Sequence, residues 1–97
     1  MTVREKKKLF KMMCELFDNT CVRCEGESNL LNVERDHIIP TYQGGPDTPD
    51  NWQPLCAKCN ASKGPESIDH RITYAKKYNL VIPDDWYLWY IKYNRYV

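Results

Sequence analysis

Three short motifs decide the fold: Cys21-Val-Arg-Cys24, then Asp36-His37-Ile-Ile-Pro40, and finally Asn51-Trp-Gln-Pro-Leu-Cys56-Ala-Lys-Cys59. Each Cys-x-x-Cys turn presents two sulfur ligands, and zinc prefers four such ligands in a tetrahedron. The sequence therefore predicts a structural zinc site formed by Cys21, Cys24, Cys56 and Cys59. A redox dithiol is the alternative, but no βαβ pattern surrounds either pair. The long insert between the pairs is expected to hold the chemistry.

The size of the chain supports this interpretation. A chain of 97 residues makes one small domain, which often needs a metal to stabilise it. We expect a single domain over residues 1–97, with its core motif at 21–64. The fifth cysteine, Cys14, lacks a partner at the required spacing and is expected in the core. No apolar run has the length of a signal peptide or membrane span, so we expect a cytoplasmic protein with reduced thiols.

Apolar spacing and turn residues predict the remaining elements. Helices are expected over 4–18, 57–63, 66–78 and 84–95, with strands over 30–39 and 51–55 and a loop over 40–50. The third helix would bury a stripe of Ile68, Ile72 and Ala75, which leaves His70 at the surface. The last helix would align aromatic side chains, and it is expected to pack in the core or to contact a second copy or a protein partner.

The motifs Cys-x-x-Cys, Asp-His-Ile-Ile-Pro, Gly-Gly, Asn-x-x-Pro-Leu-Cys-x-x-Cys and Lys-Gly occur here in that order. In this combination, over residues 21–64, the chain resembles the HNH endonucleases of the ββα-metal (His-Me finger) superfamily. The resemblance implies an α+β fold: a small ββα-metal finger with a four-cysteine zinc site and flanking helices. It also implies hydrolysis of DNA phosphodiesters to 3′-hydroxyl and 5′-phosphate products.

Hydrolysis of a phosphodiester needs a base for the attacking water and a cation for the developing charge. A neutral histidine is a suitable base near pH 7. By the resemblance, His37 is the general base, Asp36 is a metal ligand, and Asn51 holds the loop and orients the histidine. Neighbouring residues of a strand face opposite sides, so Asp36 and His37 need a bend to meet in one site.

The chain departs from the family pattern at Asn60, where the last histidine is usual. An amide carbonyl is a hard oxygen donor, so we expect one Mg²⁺ or Mn²⁺ held by Asp36 and Asn60. The alternative is an inactive copy of the nuclease site. Lys63, Lys58 and Arg35 are candidate phosphate contacts, although a lysine at the end of a helix is also commonly solvated.

Charge is arranged in blocks along the chain, although the net charge is only +1. An acidic segment at 21–57 lies between basic flanks, as expected for a cation site between arms that bind phosphate. Ordinary scatter of charged residues is the alternative. The family resemblance implies DNA as the partner, in a bacterial or phage-infected cell, and no membrane is expected. A catalytically inactive zinc-knuckle module that binds DNA or docks onto a protein is the alternative.

Overall fold

The computed structural model describes residues 2–26 and 32–81. Helix α1 (Val3–Leu16) begins at a capping box, in which the Thr2 hydroxyl accepts from the Glu5 amide and the Glu5 side chain accepts from the Thr2 amide. These bonds satisfy two of the backbone N–H groups that a helix start leaves unpaired. The expected helix over 4–18 is thus present, and it ends two residues earlier.

The central unit is a hairpin followed by a helix. Strand β1 (Val33–His37) pairs antiparallel with β2 (Trp52–Cys56), and helix α2 (Ala57–Lys63) follows directly from β2. Two short 3-10 turns, Thr41–Gln43 and Pro49–Asn51, lie in the loop between the strands. The expected α+β class and ββα finger are therefore confirmed. The strands differ from the expected bounds because residues 38 and 39 leave the sheet, and residues 30 and 31 lie outside the described part.

Helix α3 (His70–Tyr78) starts four residues later than expected, because the Asp69 side chain caps it by accepting from the Arg71 amide. Asn79 ends it in the left-handed conformation. The predicted apolar stripe is wrong, since Ile72 is 57% exposed. Tyr74 packs against the core instead, with its ring edge-on to Phe17. The expected helix over 84–95 lies outside the described residues.

The core lies between α1, β2 and the cysteine turns. Its main apolar side chains are those of Leu9, Met13, Phe17, Trp52 and Leu55, all at most 2% exposed. Cys14 is buried beside them, as expected. Strand β2 is buried along its whole length, so it forms the centre of the domain and positions the site residues on both sides. In the described part of the chain, no helix is long and apolar enough to cross a membrane.

Candidate functional site

The four paired cysteines converge on one point. The Sγ atoms of Cys21, Cys24, Cys56 and Cys59 all lie within 4.8 Å of one another. The Cys24 and Cys56 sulfurs are 3.8 Å apart, which matches the ~3.8 Å edge of a tetrahedron with Zn–S bonds of ~2.3 Å. This cluster can hold a metal ion, and its donor set fits zinc.

Burial of the cysteine cluster also affects the protonation of Cys59. Burial, together with hydrogen bonds among the neighbouring thiols, raises the pKa of Cys59 well above its ordinary value. Without a cation the Cys59 thiol therefore stays protonated at neutral pH. A bound divalent ion would displace the protons and tie the turn at Cys21 to the start of α2.

His37 ends β1, and its ring contacts Asp47 in the loop between the strands. The Nε2 atom of His37 lies 2.8 Å from Oδ1 of Asp47. The same oxygen accepts from the Trp52 indole at 3.0 Å, and Oδ2 accepts from the Lys6 ammonium at 2.7 Å. A carboxylate held by these donors keeps the imidazole in one orientation.

The charge on Asp47 is strongly favoured. The hydrogen bond from Lys6 is the largest effect that holds the Asp47 pKa far below its usual range, and the bonds from His37 and Trp52 add to it. Asp47 is therefore ionised at neutral pH. Sequence reasoning missed this residue, whose only signal is an acid placed after Gly44-Gly45 in a loop that folds back onto the histidine.

Asn51 holds the same loop through its buried side chain. Its Oδ1 accepts from the Ile39 amide at 2.9 Å, while Nδ2 donates to the carbonyls of Ile39 and Pro46 at 3.0 and 2.8 Å. Gly45 packs so closely here that a Cβ atom would lie 1.8 Å from the Ile39 oxygen. Asn51 thus contacts the loop backbone, whereas the side-chain contact to His37 comes from Asp47.

Asp36 lies on the side of β1 opposite to His37, and it is 7% exposed. Its Oδ2 accepts from the Gln53 amide at 2.8 Å, and the Lys63 ammonium lies 3.4 Å from the same oxygen. Lys63 also donates to the His37 carbonyl at 3.2 Å. The Lys63 side chain is only 1% exposed, so its position differs from the exposed phosphate contact that the sequence predicts.

Asn60 lies one turn before Lys63 on α2, and its Nδ2 donates to Glu34 at 3.3 Å. Glu34 and Asp36 share a face of β1, so the helix aligns Asn60 and Lys63 along that face. His37 faces the other side, and the bend expected between Asp36 and His37 does not occur. The chain leaves the sheet only after His37.

The remaining candidates differ in exposure. Lys58 is exposed on α2. Arg35 lies over the Trp52 ring, 4.7 Å from its centroid, with Nε 4.0 Å from Asp47. His70 is not the surface residue that the sequence predicts: its Nε2 is buried and has no hydrogen-bond partner among the described residues, and burial lowers its pKa.

The β1–β2 hairpin and α2 form a ββα finger, and the four clustered cysteines lie at one end of it. Residues 21–66 match the family model for the HNH endonuclease. This match covers just under half of the chain and confirms the resemblance over those residues. Comparison with curated proteins and with solved structures gave no match.

Proposed function

We propose that this protein is a metal-dependent endonuclease that hydrolyses phosphodiester bonds in DNA, in a bacterial or phage-infected cell. The observation that carries the proposal is the pair formed by His37 and Asp47, with 2.8 Å between Nε2 and Oδ1. The pair lies at the end of β1, one residue beyond the candidate metal ligand Asp36. The HNH match over residues 21–66 supports the same reaction class.

The pair can supply a general base. Because Asp47 is ionised, it accepts a hydrogen bond from Nε2–H of His37, and this tautomer leaves the Nδ1 lone pair free to take a proton from water. The His37 side chain is 24% exposed, so water can reach it. Asp47 thereby has the orienting role that the resemblance gave to Asn51, and Asn51 fixes the loop that carries Asp47.

Asp36 and Asn60 fit a hard divalent cation. Each keeps one side-chain oxygen, Oδ1, to which nothing in the described part of the chain donates a hydrogen bond. A carboxylate and an amide carbonyl favour Mg²⁺ or Mn²⁺. Such an ion, when bound, stabilises the negative charge that develops on the phosphate and on the leaving oxygen. Zinc is assigned to the four cysteines, where its role is structural.

The substrate would lie across the end of β1. Because Asp36 and His37 face opposite sides of the strand, a phosphate that contacts both must sit past its last residue. Lys58, exposed on α2, remains a candidate contact to a neighbouring phosphate, and Arg35 lies on the His37 side. By the family resemblance, cleavage leaves a 3′-hydroxyl and a 5′-phosphate.

The test is cleavage of supercoiled plasmid by purified zinc-loaded protein, with and without added Mg²⁺ or Mn²⁺. Wild type should nick or linearise the plasmid only with added metal, and His37→Ala should be inactive. Asp47→Asn should be at least tenfold slower, since the imidazole loses its orienting charge. Lys76→Ala on α3 serves as the control, with unchanged activity expected.

Other outcomes select the alternatives. If wild type and His37→Ala are equally silent but both bind duplex DNA, the domain is an inactive binding module. If neither variant binds DNA while both retain zinc, the domain is no DNA nuclease, and binding to a protein would then favour the docking alternative. Either result would overturn the proposal.

A further inference from the structure

Gln53 is a fully buried polar side chain on β2, with 0% exposure. Its Nε2 donates to Asp36 Oδ2 and to the Ile68 carbonyl, both at 2.8 Å, and its Oε1 accepts from the His70 amide at 2.9 Å. Buried polar groups are costly unless they are hydrogen-bonded. Here both amide hydrogens and the oxygen have partners, on β1, on the loop before α3 and on α3.

These partners allow only one orientation of the amide. In the reversed orientation, the NH₂ group would face the His70 N–H, and the oxygen would face two other oxygens. Gln53 is also the direct cross-strand partner of Asp36 in the sheet register. The strand pairing therefore places Gln53 opposite Asp36, and the bonds to Ile68 and His70 at the start of α3 keep its Nε2 directed at the Asp36 carboxylate.

The contact determines which oxygen of Asp36 is available. Oδ2 is held by Gln53 and lies near the Lys63 ammonium, whereas within the described residues no donor reaches Oδ1. We propose that Gln53 is the positioning residue that fixes the rotation of the Asp36 carboxylate, so that Oδ1 faces the divalent ion. The inference rests on the proposed function, because it takes Asp36 as a metal ligand.

The role of Gln53 differs from simple core packing. An apolar side chain of the same length would fill the space as well, but it would leave the Asp36 carboxylate free to rotate. Hydrogen bonds to metal ligands of this kind are typically worth 10–100-fold in metal affinity. Loss of the amide should therefore weaken divalent binding at Asp36 and leave the cysteine site unaffected.

The experiment measures Mn²⁺ affinity by electron paramagnetic resonance on zinc-loaded protein without DNA. Gln53→Met keeps the length and removes the hydrogen bonds, and it should raise the Mn²⁺ Kd about 10–100-fold with unchanged zinc content. Excess Mn²⁺ should restore its plasmid cleavage. Met13→Ala, a substitution in the α1 part of the core, controls for lost stability and should leave the Kd within about twofold of wild type.

A second variant covers a failure to fold. Gln53→Asn keeps an amide on a shorter side chain, and it should weaken Mn²⁺ binding in the same direction. If Asp36→Asn abolishes binding while the folded Gln53 variant keeps the wild-type Kd, this inference is wrong and the proposed nuclease stands. If Asp36→Asn leaves Mn²⁺ binding unchanged, Asp36 is no ligand, and both the inference and the proposed metal site are wrong.

Discussion

Alanine at Gly45 tests whether the loop beside His37 is as closely packed as the structure describes. The added Cβ would lie 1.8 Å from the Ile39 oxygen, about 1.2 Å inside the 3.0 Å below which such contacts essentially never occur. The neighbour is backbone, so no side-chain rotation relieves the clash. The Ile39 carbonyl must move, although Asn51 holds both the N–H and the carbonyl of Ile39 by hydrogen bonds.

The expected loss of stability follows from those contacts. Moving Ile39 by more than an ångström breaks its hydrogen bonds to Asn51, and each buried group left unpaired costs about 1–3 kcal/mol. We expect Gly45→Ala to lose about 2–5 kcal/mol in total, a large part of the stability of a small domain. The fall in Tm should be at least about 10 °C.

The neighbouring glycine provides a matched control. Gly44 has a φ of +88°, and a Cβ there meets nothing within 4 Å. Gly44→Ala should therefore cost only the left-handed backbone strain, about 1–2 kcal/mol. Thermal unfolding followed by circular dichroism, with equimolar zinc, compares the two variants. Equal losses, or a smaller loss for Gly45→Ala, would refute the packing argument.

Three further predictions concern charged and ionisable groups. Lys63→Met leaves the Asp36 carboxylate buried without its counter-charge. It should lower the free energy of unfolding, measured with urea, by about 3–5 kcal/mol, and adding Asp36→Asn should restore part of that loss. The Asp47 pKa is depressed, chiefly by Lys6, so its carboxylate contributes stability above about pH 4 that is lost at lower pH. The free energy of unfolding of Asp47→Asn should therefore depend less on pH below about pH 4 than that of wild type. An equal dependence in the two proteins would contradict this. Burial raises the pKa of Cys14 to about 11, so iodoacetamide at pH 8 should label it only after unfolding, as read by peptide mass mapping.

The metal-binding framework was predictable because its signal is local. Two Cys-x-x-Cys turns specify a four-sulfur site by spacing alone, and the sulfurs do converge. Helix α2 has the expected bounds, since Gly64 and Pro65 follow it directly. The role of Asn51 in holding the loop stays a prediction, and its side chain donates to the Ile39 and Pro46 carbonyls.

The contacts that join distant parts of the chain were not predictable in the same way. Asp47 meets Lys6 across a separation of 41 residues, and no periodicity marks such a pair. Lys63 looked like an exposed helix-end residue because its burial depends on where β1 packs against α2. Gln53 gave no signal either, since a polar residue in a strand usually faces solvent.

The bond from Lys6 to Asp47 shows that the folded domain extends beyond the segment that matches the HNH family. The segment recognised as HNH begins at residue 21, yet one donor to the carboxylate beside His37 and three of the main core side chains, Leu9, Met13 and Phe17, come from before it. A graft of residues 21–66 into another scaffold would carry the motif without part of its interior. Any transplant of this module should therefore include α1, or supply a host helix that offers an equivalent apolar face and a cation.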